Sequence, residues 1–150
     1  EKRRYISPEK YEQLKRYTVV PGDVLVTIMG TCGRCAVAPD DIPVSINTKH
    51  LCCITVDRSQ ILPEFLKASF MWQPGSRQFL ARATKGAIMQ GLNMQIIKDV
   101  PLALPPLRVQ EEIVAGATAN RNLREKLKRS MSELDALFAA LQQRAFRGEL

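Results

Sequence analysis

A single histidine, His50, stands in the whole chain, which leaves little material for His-based general acid–base chemistry. Signatures of nucleotide- or metal-dependent enzymes are absent too. There is no GxGxxG, phosphate-binding P-loop, GxSxG, HExxH or Asn/Asp-Pro-Pro-Tyr/Phe segment, so catalysis by this chain is not expected. Aromatic residues make up only 6% of the sequence, few for a protein that stacks on single-stranded bases. No apolar run approaches the roughly 20 residues of a membrane span, and Glu1-Lys2-Arg3-Arg4-Tyr5 lacks the apolar core of a signal peptide; a cytoplasmic location is expected. Internal repeats and low-complexity tracts are missing. The chain opens without Met, in charged residues followed by a Tyr-Ile pair, and is expected to be a fragment whose upstream strands are missing.

Cysteine is present but poorly arranged for metal. Cys32 and Cys35 have zinc-knuckle or redox spacing, whereas Cys52 and Cys53 are adjacent within Leu51-Cys-Cys-Ile-Thr-Val56, a strand-like run. Neighbouring strand residues point to opposite faces, so the two pairs do not readily close one tetrahedron. Reduced packing thiols are the expectation, with no metal site.

Positive charge is in excess. The net charge is +7, and residues 1–106 hold 14 Lys/Arg against 9 Asp/Glu, while residues 107–150 hold 8 against 6. A basic globular part suits a polyanionic partner, because Lys and Arg displace counterions from a phosphate backbone; the alternative is ordinary solubility charge.

Along the chain, Ser7 and Pro8 predict the cap and first position of a helix over about residues 8–15, with Tyr11 and Leu14 inward. Pro21-Gly22-Asp23 reads as a turn and Val24–Met29 as a central strand. Gly30-Thr31-Cys32-Gly33 reads as a hairpin reversal that returns through Arg34–Val37. Strands over Val44–Ile46 and Leu51–Val56 flank Asn47-Thr48-Lys49-His50. His50 is either a surface residue or, beside Lys49, a phosphate-facing group. Pro63 opens a helix to Trp72 with Phe65, Ala68-Ser69 and Trp72 on related faces, Pro74-Gly75 breaks it, and Ser76 caps a second helix to about Arg82. The aromatics here fit a core pattern better than a stacking platform.

Thr84–Asn93 is too irregular for either period and presents Lys85, Gln90 and Asn93. Asn and Gln can pair adenine bidentately and Lys can reach guanine or phosphate, so this loop is a candidate reader; Asn93 can equally cap a short helix over residues 94–97. Val100–Leu104 reads as an edge strand because of Pro101. After Pro105-Pro106, apolar residues recur at helical spacing to the C-terminus. Leu127, Leu134 and Leu141 fall seven apart, with Met131, Phe138 and Ala145 each four residues later, a heptad seam that requires a partner helix.

Four segments taken together resemble the specificity (S) subunit of type I restriction-modification systems. They are Tyr17-Thr-Val-Val-Pro-Gly-Asp-Val-Leu-Val26 leading to Gly30-Thr-Cys-Gly33; Lys85-Gly86 to Leu92-Asn93; Val100-Pro-Leu-Ala-Leu-Pro-Pro-Leu107 with Gln110-Glu-Glu-Ile-Val114; and Leu141-Gln-Gln-Arg-Ala-Phe-Arg-Gly-Glu-Leu150. The resemblance implies an α+β fold: a mixed β-sheet target recognition domain with short helices over residues 1–105, then one long coiled-coil-type helix over residues 106–150. It implies a non-catalytic subunit that reads one half of a bipartite site in double-stranded DNA. Its helices set the spacing of two such domains and dock modification subunits, which bind S-adenosylmethionine and methylate adenine, and a restriction subunit can join. No cofactor is implied in this chain. Within that frame Lys49, Arg77, Arg82 and Lys85, with His50 beside Lys49, are candidates for phosphate contacts, and Arg34, Gln90 and Asn93 for base edges. Leu127, Met131, Leu134, Phe138 and Leu141 are expected to pair with the second long helix of an intact subunit, or to drive self-dimerisation. Competing readings are an assembly module without DNA reading, an RNA-binding domain and, last, an enzyme.

Overall fold

In the computed structural model, which describes residues 4–85 and 91–149, the chain divides into two compact units, Glu1–Glu111 and Glu112–Leu150. The first is built around strand β2 (Val24–Thr27), whose alternation of β-branched residues at one parity puts Val24 and Val26 on the same, fully buried face. β2 is central in an antiparallel three-stranded sheet, between β3 (Cys35–Val37) and β5 (Leu51–Ile54). Val26 pairs with Cys35 on one side and Cys52 on the other. A second, two-stranded antiparallel sheet joins β1 (Thr18–Val19) to β4 (Ser45–Ile46).

Helix α1 (Pro8–Leu14) starts as its sequence predicts, with the Ser7 hydroxyl accepting from Lys10 N–H at 3.3 Å and Pro8 in the first turn. A short 3-10 turn, Lys15–Tyr17, leads into β1. The turn after β1 is held by a buried carboxylate. Asp23 accepts from Val20 N–H at 2.9 Å, from the Thr55 hydroxyl at 2.7 Å and from the Cys53 thiol at 3.1 Å. Three donors compensate the burial of this acid, which ties the β1–β2 turn to β5.

Helix α2 (Pro63–Trp72) covers the sheet and buries Phe65, Leu66, Ala68, Ser69 and Phe70. It ends at Gln73, which is extended because the following residue is Pro74. α3 (Pro74–Lys85) starts at once. Two expectations fail here. Ser76 does not cap α3, because Pro74 and Gly75 already lie inside the helix; its fully buried hydroxyl instead donates to Pro101 C=O at 2.7 Å. Trp72, placed by spacing on a face related to that of Phe65 and Ala68-Ser69, is 57% exposed at the end of α2, where little among the described residues packs over its ring.

The segment after α4 (Met94–Lys98) also departs from its reading: residues 101–104 are exposed and form no strand. Pro101 offers no N–H to a ladder, and among the described residues no strand lies alongside. The core joins Val24, Val26 and Cys52 of the sheet to Leu66 and Phe70 of α2, Leu80 of α3, and Leu92, Ile97 and Val100 from the segment around α4.

Helix α5 runs without interruption from Leu107 to Phe146, 40 residues and so about 60 Å at 1.5 Å each. Its start belongs to the first unit. Gln110, fully buried, accepts from Leu62 N–H at 2.9 Å and donates to Gln60 C=O and Pro105 C=O, both at 2.9 Å. The second unit is helix alone, and in it nearly every residue is exposed.

Candidate nucleic-acid interface

The pairing Thr27↔Leu51 brings the end of β2 beside the start of β5, so the loops that leave these strands emerge at one end of the sheet. Ile28 N–H donates to His50 C=O at 2.9 Å, and Ile28 C=O accepts from Leu92 N–H at 2.7 Å. Met29 bridges to Gly91. Three segments far apart in sequence, the 28–34 loop, the Lys49-His50 turn and Gly91–Asn93, are thereby fastened to one another by backbone hydrogen bonds.

The 28–34 loop reverses on two glycines in left-handed conformation, Gly30 at φ 72° and Gly33 at φ 80°, where a side chain would be strained. Gly33 also faces α3; a Cβ added to it would stand 3.7 Å from Leu80 Cδ1. Between this loop and α3 lies an open cleft of about 400 Å³. Phe70, Leu80 and Leu92 line it as apolar residues, joined by Thr31 and Arg34 from the loop and by Arg77 and Thr84 from α3. Among the described residues no carboxylate lines it. Among the described residues neither arginine has an acidic side chain at ion-pair distance. Two such cations beside apolar lining residues suit an anionic ligand that also presents flat or apolar surface.

Of the residues singled out by sequence, Arg34 and Arg77 thus come together. Lys49 and His50 are exposed in the neighbouring turn but do not line the cleft. Arg82 is exposed on α3; five positions after Arg77, it lies roughly 140° round the helix and off the cleft. Lys85 is the last residue of α3, not part of an irregular loop, since that helix continues three residues beyond Arg82. Gln90 falls outside the described residues. Asn93 is the N-cap of α4, its Oδ1 accepting from Ile96 N–H at 2.8 Å, the role that its position before Met94–Lys98 allowed.

Sequence reasoning passed over Thr27. Its hydroxyl donates to Thr31 C=O and accepts from Arg34 N–H at 3.0 Å, while its own N–H donates to Arg34 C=O at 2.9 Å. A lone Thr at a strand end carries no signal of this, because the partners are set by how the hairpin closes. The cysteines are thiols, not disulfides; the Cys35 and Cys53 thiols are pushed up to about 12, chiefly by burial, with the Asp23 carboxylate adding to the rise at Cys53. Among the described residues no three His, Cys, Asp or Glu side chains gather as a metal site would need.

In the helical unit, taken by itself, Leu127, Met131, Leu134, Phe138 and Leu141 are between 40% and 64% exposed. Leu123 and Leu137, also exposed, widen the stripe. No helix among the described residues is long and apolar enough to cross a membrane.

Residues 4–129 match the family described as the type I restriction modification DNA specificity domain. The chain belongs to this family. Among its relatives is the type I restriction enzyme EcoBI specificity subunit of Escherichia coli, 30% identical over 152 aligned positions that take in 98% of this chain and 31% of that protein. A solved chain from work on complex assembly and conformational transition of the type I R-M system superimposes with a TM-score of 0.69 at 25% identity, covering 86% of this chain and 33% of the other. The HsdS subunit from Thermoanaerobacter tengcongensis shares the fold, with a TM-score of 0.64 at 24% identity over 77% of this chain and 30% of its own. The chain therefore spans about a third of the length of these relatives.

Proposed function

We propose that the chain supplies one target recognition domain, residues 1–105, reading one half of a bipartite DNA site, and that residues 106–150 form the helix that pairs, spaces and docks. On this reading modification subunits bind S-adenosylmethionine and methylate adenine, a restriction subunit joins them in the cytoplasm, and the chain itself performs no chemistry. The observation that carries DNA reading is the convergence of Arg34 and Arg77, from different elements, on a cleft that no carboxylate lines among the described residues. Arg34 sits on a tightly bonded loop and suits a base edge, whereas Arg77, on the flank of α3, suits a phosphate.

The test is a complex reconstituted with modification subunits. Mapping methylated adenines before and after this domain is exchanged for another should show a change confined to one half of the site. Arg77→Ala should weaken cognate and scrambled duplexes alike and reduce the salt slope by about one, and an unchanged slope would remove Arg77 from the interface.

The exposed heptad seam favours a second reading, an assembly module without DNA reading of its own. Selection from a randomised duplex pool separates the two. An enriched half-site excludes the assembly-only reading, and a flat pool excludes DNA reading.

A further inference from the structure

Resting on the assignment of Arg34 to a base edge, we propose that Thr27 is the positioning residue that sets where Arg34 can point, and is thereby a determinant of sequence specificity that touches no DNA. Residues 28–33 reverse the chain on Gly30 and Gly33, the two residues least able to hold one backbone conformation by themselves. Ile28 and Met29 tie the first part of the loop to the neighbouring segments, and its return to Arg34 is restrained by a set of bonds centred on Thr27. Its N–H reaches Arg34 C=O at 2.9 Å and its C=O accepts from Gly33 N–H at 2.8 Å. Its hydroxyl spans the reversal, donating to Thr31 C=O on the outgoing side and accepting from Arg34 N–H at 3.0 Å on the returning side.

The backbone bonds belong to the β2–β3 hairpin and survive substitution. The hydroxyl bonds are different. They alone connect the Thr27 side chain to both sides of the turn, and one of them is made by the amide of Arg34 itself. Arginine reads a base edge through a planar fork, so a small rotation of its backbone moves both donors away from their acceptors. The charge is not lost by that rotation. Removing the Thr27 hydroxyl should therefore erode discrimination between sequences and spare the electrostatic attraction common to all of them.

Thr27→Val keeps the branched shape and strand propensity and deletes only the hydroxyl, while Thr27→Ser keeps the hydroxyl. Each is placed in the complex with modification subunits, alongside Arg34→Ala. Binding is measured on a duplex bearing the selected half-site and on a scrambled duplex, with salt titrations of both. For Thr27→Val the cognate-to-scrambled ratio should fall at least about fivefold, the scrambled affinity and salt slope should stay at wild type, and Thr27→Ser should restore the ratio. If Arg34→Ala lowers the ratio and Thr27→Val does not, Arg34 reads DNA without this restraint and the proposal fails. Equal weakening of both duplexes by Thr27→Val would mean a merely structural residue, which also overturns it. If Arg34→Ala leaves the ratio unchanged, the assignment of Arg34 itself is wrong and the inference built on it falls for that separate reason.

Discussion

Replacing Gln110 with leucine tests whether the start of α5 is held by its buried carboxamide. The wild-type side chain is fully buried and makes three hydrogen bonds at 2.9 Å, one to Leu62 N–H and one each to Gln60 C=O and Pro105 C=O. Leucine fills similar space but leaves one amide and two carbonyls without partners. An unsatisfied buried group costs about 1 to 3 kcal/mol, and the exposed surroundings of Gln60 admit water, so about 1 kcal/mol for each of the three is appropriate. The loss should be about 3 kcal/mol. Trp72 is the single tryptophan and lies in the first unit, so urea unfolding followed by its fluorescence reports on that unit. With a slope of about 2 kcal/mol per molar urea, the midpoint should fall by about 1.5 M. A Gln110→Leu midpoint equivalent to less than about 0.5 kcal/mol, with an unchanged slope, would refute the account of Gln110 as the tie between α5 and the β5–α2 segment.

Charge placed in the helical seam should abolish self-association: Leu134→Glu with Phe138→Glu is expected to shift the chain from dimer to monomer by light scattering, and a wild-type monomer at high concentration would exclude pairing through this face. Cys35 and Cys53 should react slowly with a disulfide reagent at pH 8, because both thiols are raised to about 12 from an ordinary value near 9. The same rise carries a stability sign. The folded state holds these protons more tightly than the unfolded chain, so stability is level below about pH 9 and declines as pH climbs towards about 12; a melting temperature flat across that window would contradict it.

Much of the fold was legible in the sequence because local chemistry decides it. The Ser7-Pro8 start of α1, the two glycines of the hairpin and the Asn93 cap of α4 follow from backbone preferences that operate within a few residues. Ser76 and Trp72 misled for the opposite reason. Ser76 was drawn to a distant carbonyl, Pro101, and the exposure of Trp72 depends on what packs over the end of α2, neither of which is a local property. Residues 101–104 look like a strand only until one asks what they would pair with.

The sequence by itself determined the family, through motifs in order; the α+β character of the fold; and the long helix, whose seam is written in heptads over consecutive residues. Only the tertiary structure decided which basic residues share a cleft. Arg34 and Arg77 are 43 positions apart, yet they meet across one cleft, whereas Arg82 sits five residues from Arg77 and turns away. Periodicity gives the face of an element, but which faces come together is set by the packing of α2 and α3 on the sheet. Thr27 and Gln110 belong to the same class: ordinary residues in the sequence, made important by the partners that folding brings within hydrogen-bond reach.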